Sequence, residues 1–240
     1  MARAKPSYAV CKLCGYRGTK ASMTKHLAKC VESHPAKAKG KPVRLLHIRV
    51  EDAYQPSPFW LDVEVRASAP LRELDQFLRD IWLECCGHLS LFEIDGVQYE
   101  AYIDRTWGPS DSRSMRAKLG DVVGVGSHFY HEYDYGSTTE LKLKVLGERE
   151  GYQDKHLRLL ARNEPLVWPC GVCGQPATQI DTECAYEMEN PFFCETHARE
   201  HVQTKHDGDD YMLLPVVNSP RMGVCGYEGP DDETPYLPSE

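Results

Sequence analysis

Cys11-Lys12-Leu13-Cys14 is followed, after eleven residues, by His26-Leu27-Ala28-Lys29-Cys30, a Cys-x2-Cys-x11-His-x3-Cys spacing. A turn presents two thiolates from a knuckle, and ligands four apart on a helix face one side, so the four can close a tetrahedron around zinc. A segment of about thirty residues cannot bury enough apolar surface to hold itself together. The ion would stand in for a core to which Tyr16, Met23 and Leu27 contribute. The pattern predicts a compact ββα finger with Cys in place of the last His.

A second set has the spacing Cys-x2-Cys-x20-Cys-x2-His: Cys170-Gly171-Val172-Cys173, then Cys194-Glu195-Thr196-His197. Pro169 and Gly174 bracket the first pair as a zinc knuckle, and the second pair opens a helix predicted over 195–205, as in treble-clef sites. Closed sites of this kind are structural, so two structural zinc ions are expected. Cys184, His201, His206 and Cys225 are near enough in sequence that one of them could replace a named ligand. For the first set the alternative is a group of unrelated buried or free cysteines.

The elements that must position these ligands fall into three parts. Residues 1–34 form the finger, and 35–42, with Pro35, Lys37, Lys39, Gly40 and Lys41, read as a flexible basic linker. Residues 43–164 carry the pattern of an α+β domain. Strands are predicted over 43–50 and 59–65, then an amphipathic helix opened by Pro70 with Leu71, Leu74, Phe77, Leu78, Ile81 and Trp82 on one face. Further short strands follow at 89–94, 97–103, 129–135 and 141–146, with Asp95-Gly96 marking a tight hairpin. This order suggests a β-grasp-like mixed sheet over one main helix, flanked by two small zinc-binding modules. Residues 165–240 hold the second metal set and end in an acidic, Pro-rich tail with Asp231, Asp232, Glu233, Pro235 and Pro238.

The chain has 240 residues and a net charge of -8, but the charge is strongly polarised. Residues 1–50 hold twelve Lys or Arg against the single acid Glu32, so the remainder carries a large negative surplus. A basic head can seek phosphate, and Lys12, Arg17, Lys20, Lys25 and Lys29 are the candidate contacts. The plainer reading of such a charge run is a solvated face. The predicted finger helix offers no Arg or Asn for bidentate base readout, only Ser22 and Thr24 as weak hydrogen bonders. A lone finger covers about three base pairs, so it would add affinity rather than an address. Mean hydropathy is -0.51 and the apolar runs are too short to span a membrane. Met1 to Val10 lacks a secretory signal, which points to a reducing cytoplasm where paired cysteines serve metals rather than disulfides.

Leu74-x-x-Phe77-Leu78-x-x-Ile81-Trp82, His88-Leu89-Ser90-Leu91-Phe92-Glu93-Ile94 with Gly96 and Tyr99, and Phe129-Tyr130-His131-Glu132-Tyr133-Asp134-Tyr135-Gly136 occur in this order. Together they resemble the plasmid pRiA4b ORF-3-like family, whose fold group is also called MM3350-like, over roughly residues 41–150. The resemblance implies an α+β domain of poorly known function. Members commonly continue the Tyr-Asp-aromatic-Gly motif with an acid, Trp and His, where this chain has Ser137, Thr138, Thr139 and Glu140. The stretches 190–194 and 212–227 are similar to a zinc-bearing extension of some members.

A metal-dependent enzyme would draw on His128-Phe129-Tyr130-His131-Glu132-Tyr133-Asp134. Strand alternation points His128 and His131 to opposite faces, which argues for an edge or barrel-like strand instead. Asp104 and Arg105, near Trp107 and Gly108, read as a loop ion pair, and Cys85-Cys86 as core thiols packing at a helix end. No phosphate-binding glycine loop, nucleophile elbow or His-Glu-x-x-His motif occurs, so no catalytic residue is assigned. The expectation is a non-enzymatic zinc protein tethered to nucleic acid or a ribonucleoprotein through its finger, with a protein-protein adaptor as the second reading and the enzyme as the third.

Overall fold

The finger opens with strands β1 (Tyr8–Cys11) and β2 (Arg17–Thr19) and helix α1 (Lys20–Ser33), in a computed structural model that describes residues 7–36, 40–54, 57–103, 111–230 and 232–238. Thr19 caps α1: it is extended, and its hydroxyl accepts from the Ser22 amide at 3.4 Å. Met23, Leu27, Cys30 and Val31 form the buried face of that helix. Tyr16, expected inside the finger, is 40% exposed. Its ring lies outside, stacked on His26 at 4.3 Å.

The central part contains β3 (Val43–Asp52), β4 (Trp60–Arg66), α2 (Leu71–Leu78), β5 (Ser90–Ile94), β6 (Val97–Glu100), β7 (Arg113–Ser114), a single turn α3 (Leu119–Val122), β8 (His128–Tyr133), β9 (Thr139–Gly151) and β10 (Leu157–Asn163). Helix α2 continues as a π turn over Arg79–Leu83. Beyond it come β11 (Gln179–Asp181), β12 (Phe192–Phe193), α4 (Glu195–Lys205) and β13 (Leu213–Pro215). The large sheet runs β2-β1-β10-β4-β3-β9-β8-β5-β6-β7, and β12-β11-β13 form a small one. The fold is α+β as expected. The large sheet is mixed only through the parallel edge pair β6–β7, while its centre is antiparallel.

Alternation decides which side of the sheet is covered. Ile48, Val63, Val145, Leu143, Phe92 and Phe129 point under α2, whose Leu74, Phe77 and Leu78 are sealed against them. Asp95 and Gly96, both at positive φ (51° and 75°), make the two-residue connection from Ile94 to Val97 that their types predict.

The finger hairpin is continuous with this sheet. Strand β1 pairs with β10, placing Ala9 opposite Asn163 and Cys11 opposite Ala161. Met23 and Leu27 of α1 pack with Trp60, Leu160 and Ala161 into a second apolar cluster. Arg49 completes the junction, donating from Nη2 to Thr24 Oγ1 at 2.9 Å and to Asp62 Oδ2 at 2.8 Å. The linker positions 37–39, Pro56 of the first inter-strand turn, the Asp104–Gly108 loop and Asp231 of the tail lie outside the described residues.

Candidate metal centres

Cys11 ends β1 and Cys14 sits in the turn after it, which closes through Gly15 at φ +77°, a conformation suited to glycine. Gly15 N donates to Cys11 O at 2.9 Å, and Cys11 N to Tyr16 O at 2.8 Å. His26 and Cys30, one turn apart on α1, face that knuckle. Cys11 and Cys30 bring their sulfurs to 3.9 Å, Cys14 Sγ lies 3.2 Å from His26 Nε2, and all four donor atoms fall within 4.8 Å of one another. For zinc with bonds of about 2.3 Å to sulfur and 2.0 Å to nitrogen, a tetrahedron has S–S edges near 3.8 Å and S–N edges near 3.5 Å. The residues fit such an ion. Burial pushes the Cys30 thiol up to about 12, so only a bound cation makes it a thiolate near neutrality.

The second set repeats the construction. Gly174 at φ +71° donates from its amide to Cys170 O at 2.9 Å, and Cys170 N donates to Gln175 O at 2.7 Å. Cys194 is the N-cap of α4 and His197 lies in its first turn. Cys173 and Cys194 have sulfurs 3.9 Å apart, while His197 Nδ1 is 3.2 Å from Cys194 Sγ and 3.6 Å from Cys170 Sγ. Desolvation works against the Cys170 thiolate, but the backbone amides of Cys194, Cys173 and Val172 point at it and hold it down at about 6.

His201 and His206, the possible substitutes, are drawn elsewhere. Asp181 is sealed from solvent and its Oδ2 lies 2.9 Å from His201 Nε2 and 2.8 Å from His206 Nε2. Cys184 Sγ is 3.6 Å from His206 Nε2, so these four also converge. The Asp–His separations are hydrogen-bond lengths, and one oxygen of Asp181 serves both imidazoles. A buried hydrogen-bonded network accounts for this group. Desolvation raises Asp181, yet the Cys184 amide and the two imidazoles outweigh it and keep its carboxyl below the usual range.

The five basic candidates of the finger separate into two classes. Lys12 reaches Glu233 at 3.0 Å, Arg17 makes two 2.7 Å bonds to Glu164, and Lys20 pairs with Glu51. Lys25 and Lys29 are exposed on α1 and make no ion pair among the described residues. With Tyr16, Ser22, His26 and Ala28 they line a shallow concavity on the finger.

The strand offered for catalysis does not gather its histidines. His128 is exposed, whereas His131 is fully buried with Nε2 2.7 Å from Asp75 Oδ1 beneath α2. Asp134 faces Arg221 at 2.7 Å. The expectation that Cys85-Cys86 are core thiols is corrected: Cys86 is exposed and Cys85 half-buried, because the helix stops at Leu83 and Glu84 turns the chain into extended backbone. Sequence reasoning missed their neighbourhood, which includes His88 and Cys225.

No family model matches the chain, and no curated protein matches it. Among solved structures, the chain is similar to MM3350 from Methanosarcina mazei Go1, a protein of unknown function. The TM-score is 0.43 at 16% identity, covering 50% of this chain and 69% of that one. None of the described helices is long and apolar enough to cross a membrane.

Proposed function

We propose that this chain is a non-enzymatic zinc-binding protein of the pRiA4b ORF-3-like group that works in the cytoplasm and contacts nucleic acid, or a ribonucleoprotein surface, through its finger. Cys11, Cys14, His26 and Cys30 hold one structural zinc, and Cys170, Cys173, Cys194 and His197 hold another. The observation that carries the nucleic-acid reading is the exposed concavity where Lys25 and Lys29 stand beside Tyr16 and Ser22. Lysines there neutralise phosphates, and the free face of the half-exposed Tyr16 ring favours unpaired bases. Lys12, Arg17 and Lys20 add to the field of the head, but each must exchange a carboxylate for a phosphate, a small cost for the exposed Arg17–Glu164 pair and a larger one for the partly buried pairs of Lys12 and Lys20. Because β1 is paired to β10, the contact surface is presented rigidly on the sheet edge.

The test is a titration of the zinc-loaded chain against fluorescent single-stranded and duplex DNA and RNA at two salt concentrations. Binding should weaken with salt. The salt slope should fall by about 1.4 to 1.8 in Lys25→Gln/Lys29→Gln, as expected for two lost phosphate contacts. Tyr16→Ala should weaken single-strand binding selectively. Absence of binding at low salt overturns the reading and leaves the protein-protein adaptor, which the exposed Val167, Val172 and Tyr211 of the C-terminal part favour.

A further inference from the structure

Two segments far apart in sequence meet at the surface of the central domain. After the π turn, Gly87 at φ +77° folds the chain back and sets His88 beside Cys86, with His88 Nε2 3.0 Å from Cys86 Sγ. From the other direction, the chain over 219–227 crosses the domain as successive turns, with Met222 N donating to Ser219 O, Val224 N to Arg221 O and Tyr227 N to Val224 O. It is fixed at Ser219, whose hydroxyl donates to Trp82 O at 2.6 Å, and at Arg221, which is wholly buried. Cys225 projects from this strap.

The sulfur–sulfur separations match those of the two centres described above, and His88 stands slightly closer to Cys86 than the histidine of either centre does to its nearest sulfur. Cys85 and Cys86 bring their sulfurs to 3.6 Å, and Cys225 Sγ lies 3.9 Å from Cys86 Sγ and 3.3 Å from His88 Nε2. All four atoms fall within 4.8 Å of one another. The geometry points to a third metal centre, in which Cys85, Cys86, His88 and Cys225 hold a thiophilic divalent cation of the zinc class and fasten the C-terminal strap to the central domain. Three sulfurs and an imidazole suit zinc and disfavour the oxygen-seeking magnesium and calcium.

Three features of the surroundings support the assignment independently of those distances. Cys225 has φ +50°, an uncommon conformation for a residue with a side chain, in a turn whose neighbours Gly223 and Gly226 show what would ordinarily stand there. The second nitrogen of His88, Nδ1, is 3.4 Å from Asp134 Oδ1, placing a carboxylate behind the imidazole as at many metal-bound histidines. Arg221 Nη2 donates to Cys85 Sγ at 3.4 Å and to Asp134 Oδ2 at 2.7 Å. Three thiolates and a divalent ion leave one negative charge, and this guanidinium sits where that charge would be.

The centre is independent of the nucleic-acid reading. Cys86 and Cys225 are exposed, so its ion is the one a chelator in solution reaches most directly. The experiment compares the zinc-loaded full chain, purified under reducing conditions, with Cys86→Ser/Cys225→Ser by elemental mass spectrometry and by cobalt(II) absorption. The variant should hold one equivalent less metal and lose part of the sulfur-to-cobalt charge-transfer band. His88→Cys should keep the full equivalent count and strengthen that band, which shows coordination even if the double variant folds poorly. Equal metal content in wild type and double variant, or loss of an equivalent in His88→Cys, overturns the centre. So does a Cys86–Cys225 disulfide in the wild-type peptide map. None of these results bears on the salt-dependent titration that tests the finger.

Discussion

Arg49 and Asp62 form a closed pair, Nε to Oδ1 at 2.9 Å and Nη2 to Oδ2 at 2.8 Å, and Asp62 has no exposed surface at all. The same guanidinium rests on the Trp60 ring and reaches Thr24 of the finger helix. One buried ion pair therefore joins the sheet to the finger.

Breaking that pair on one side strands a charge. Asp62→Asn should destabilise the chain by about 3 to 5 kcal/mol, since Arg49 loses its counterion in a dry environment. Equilibrium urea unfolding measures this, and a loss below about 1 kcal/mol would show that the site is wetter than its burial indicates.

A surface pair of equally good geometry should behave differently. Arg17 and Glu164 make two 2.7 Å bonds but stand in solvent. Exposed pairs contribute little against side-chain entropy and screening. Arg17→Gln should leave the unfolding midpoint almost unchanged, and should do so at both low and high salt.

Asp75 should be one contributor to acid sensitivity. Burial disfavours its charged form, but His131 and Arg79 outweigh this and hold its carboxyl below the ordinary range. A depressed carboxylate contributes stability that is fully present above its unfolded pKa, about 3.9, and is lost as pH falls through the lower folded value. Unfolding midpoints measured between pH 6 and 2, a window set by that reference, should fall more gently in Asp75→Asn than in wild type. Parallel curves would place the acid-sensitive group elsewhere.

Metal removal should act on backbone pairing. Cys11 is at once a proposed ligand and the last residue of β1, opposite Ala161. Cys14→Ser/Cys30→Ser should release the amides over 8–11 to rapid hydrogen exchange while β3 and β4 stay protected. Retained protection over 8–11 would mean that Met23 and Leu27 hold the finger without its ion.

The convergence of the Cys/His sets was legible where their spacing is local. Cys11, Cys14, His26 and Cys30 need only a knuckle and a helix, both written in the sequence by Gly15, Thr19 and the four-residue step. Likewise the Asp95-Gly96 hairpin, the apolar face of α2 and the opposed histidines of β8 follow from local pattern. What could not be read depends on contacts across the chain. The pairing of β1 with β10 leaves no periodic trace, because an edge strand alternates identically whatever lies beside it. Cys225 lies 139 residues from Cys86, too far for any spacing rule, and without it Cys85-Cys86 reads as an ordinary helix end. After Gly136, Ser137 O and Thr139 Oγ1 accept from Arg221 and help seat the C-terminal strap, another contact across the chain.

The junction of finger and sheet has one further consequence. Strand β10 has seven residues, most of them buried, and β1 covers its free side. Without the finger, that side would offer a row of unsatisfied amides beside Leu159, Leu160 and Ala161, a template on which another chain's strand could add. With it, the sheet ends at β2, three residues long and bearing Arg17 and a central glycine. On the proposed zinc occupancy, the ion that the first set holds would also guard the molecule against self-association, and stripping it should expose this edge to strand addition before the interior unfolds.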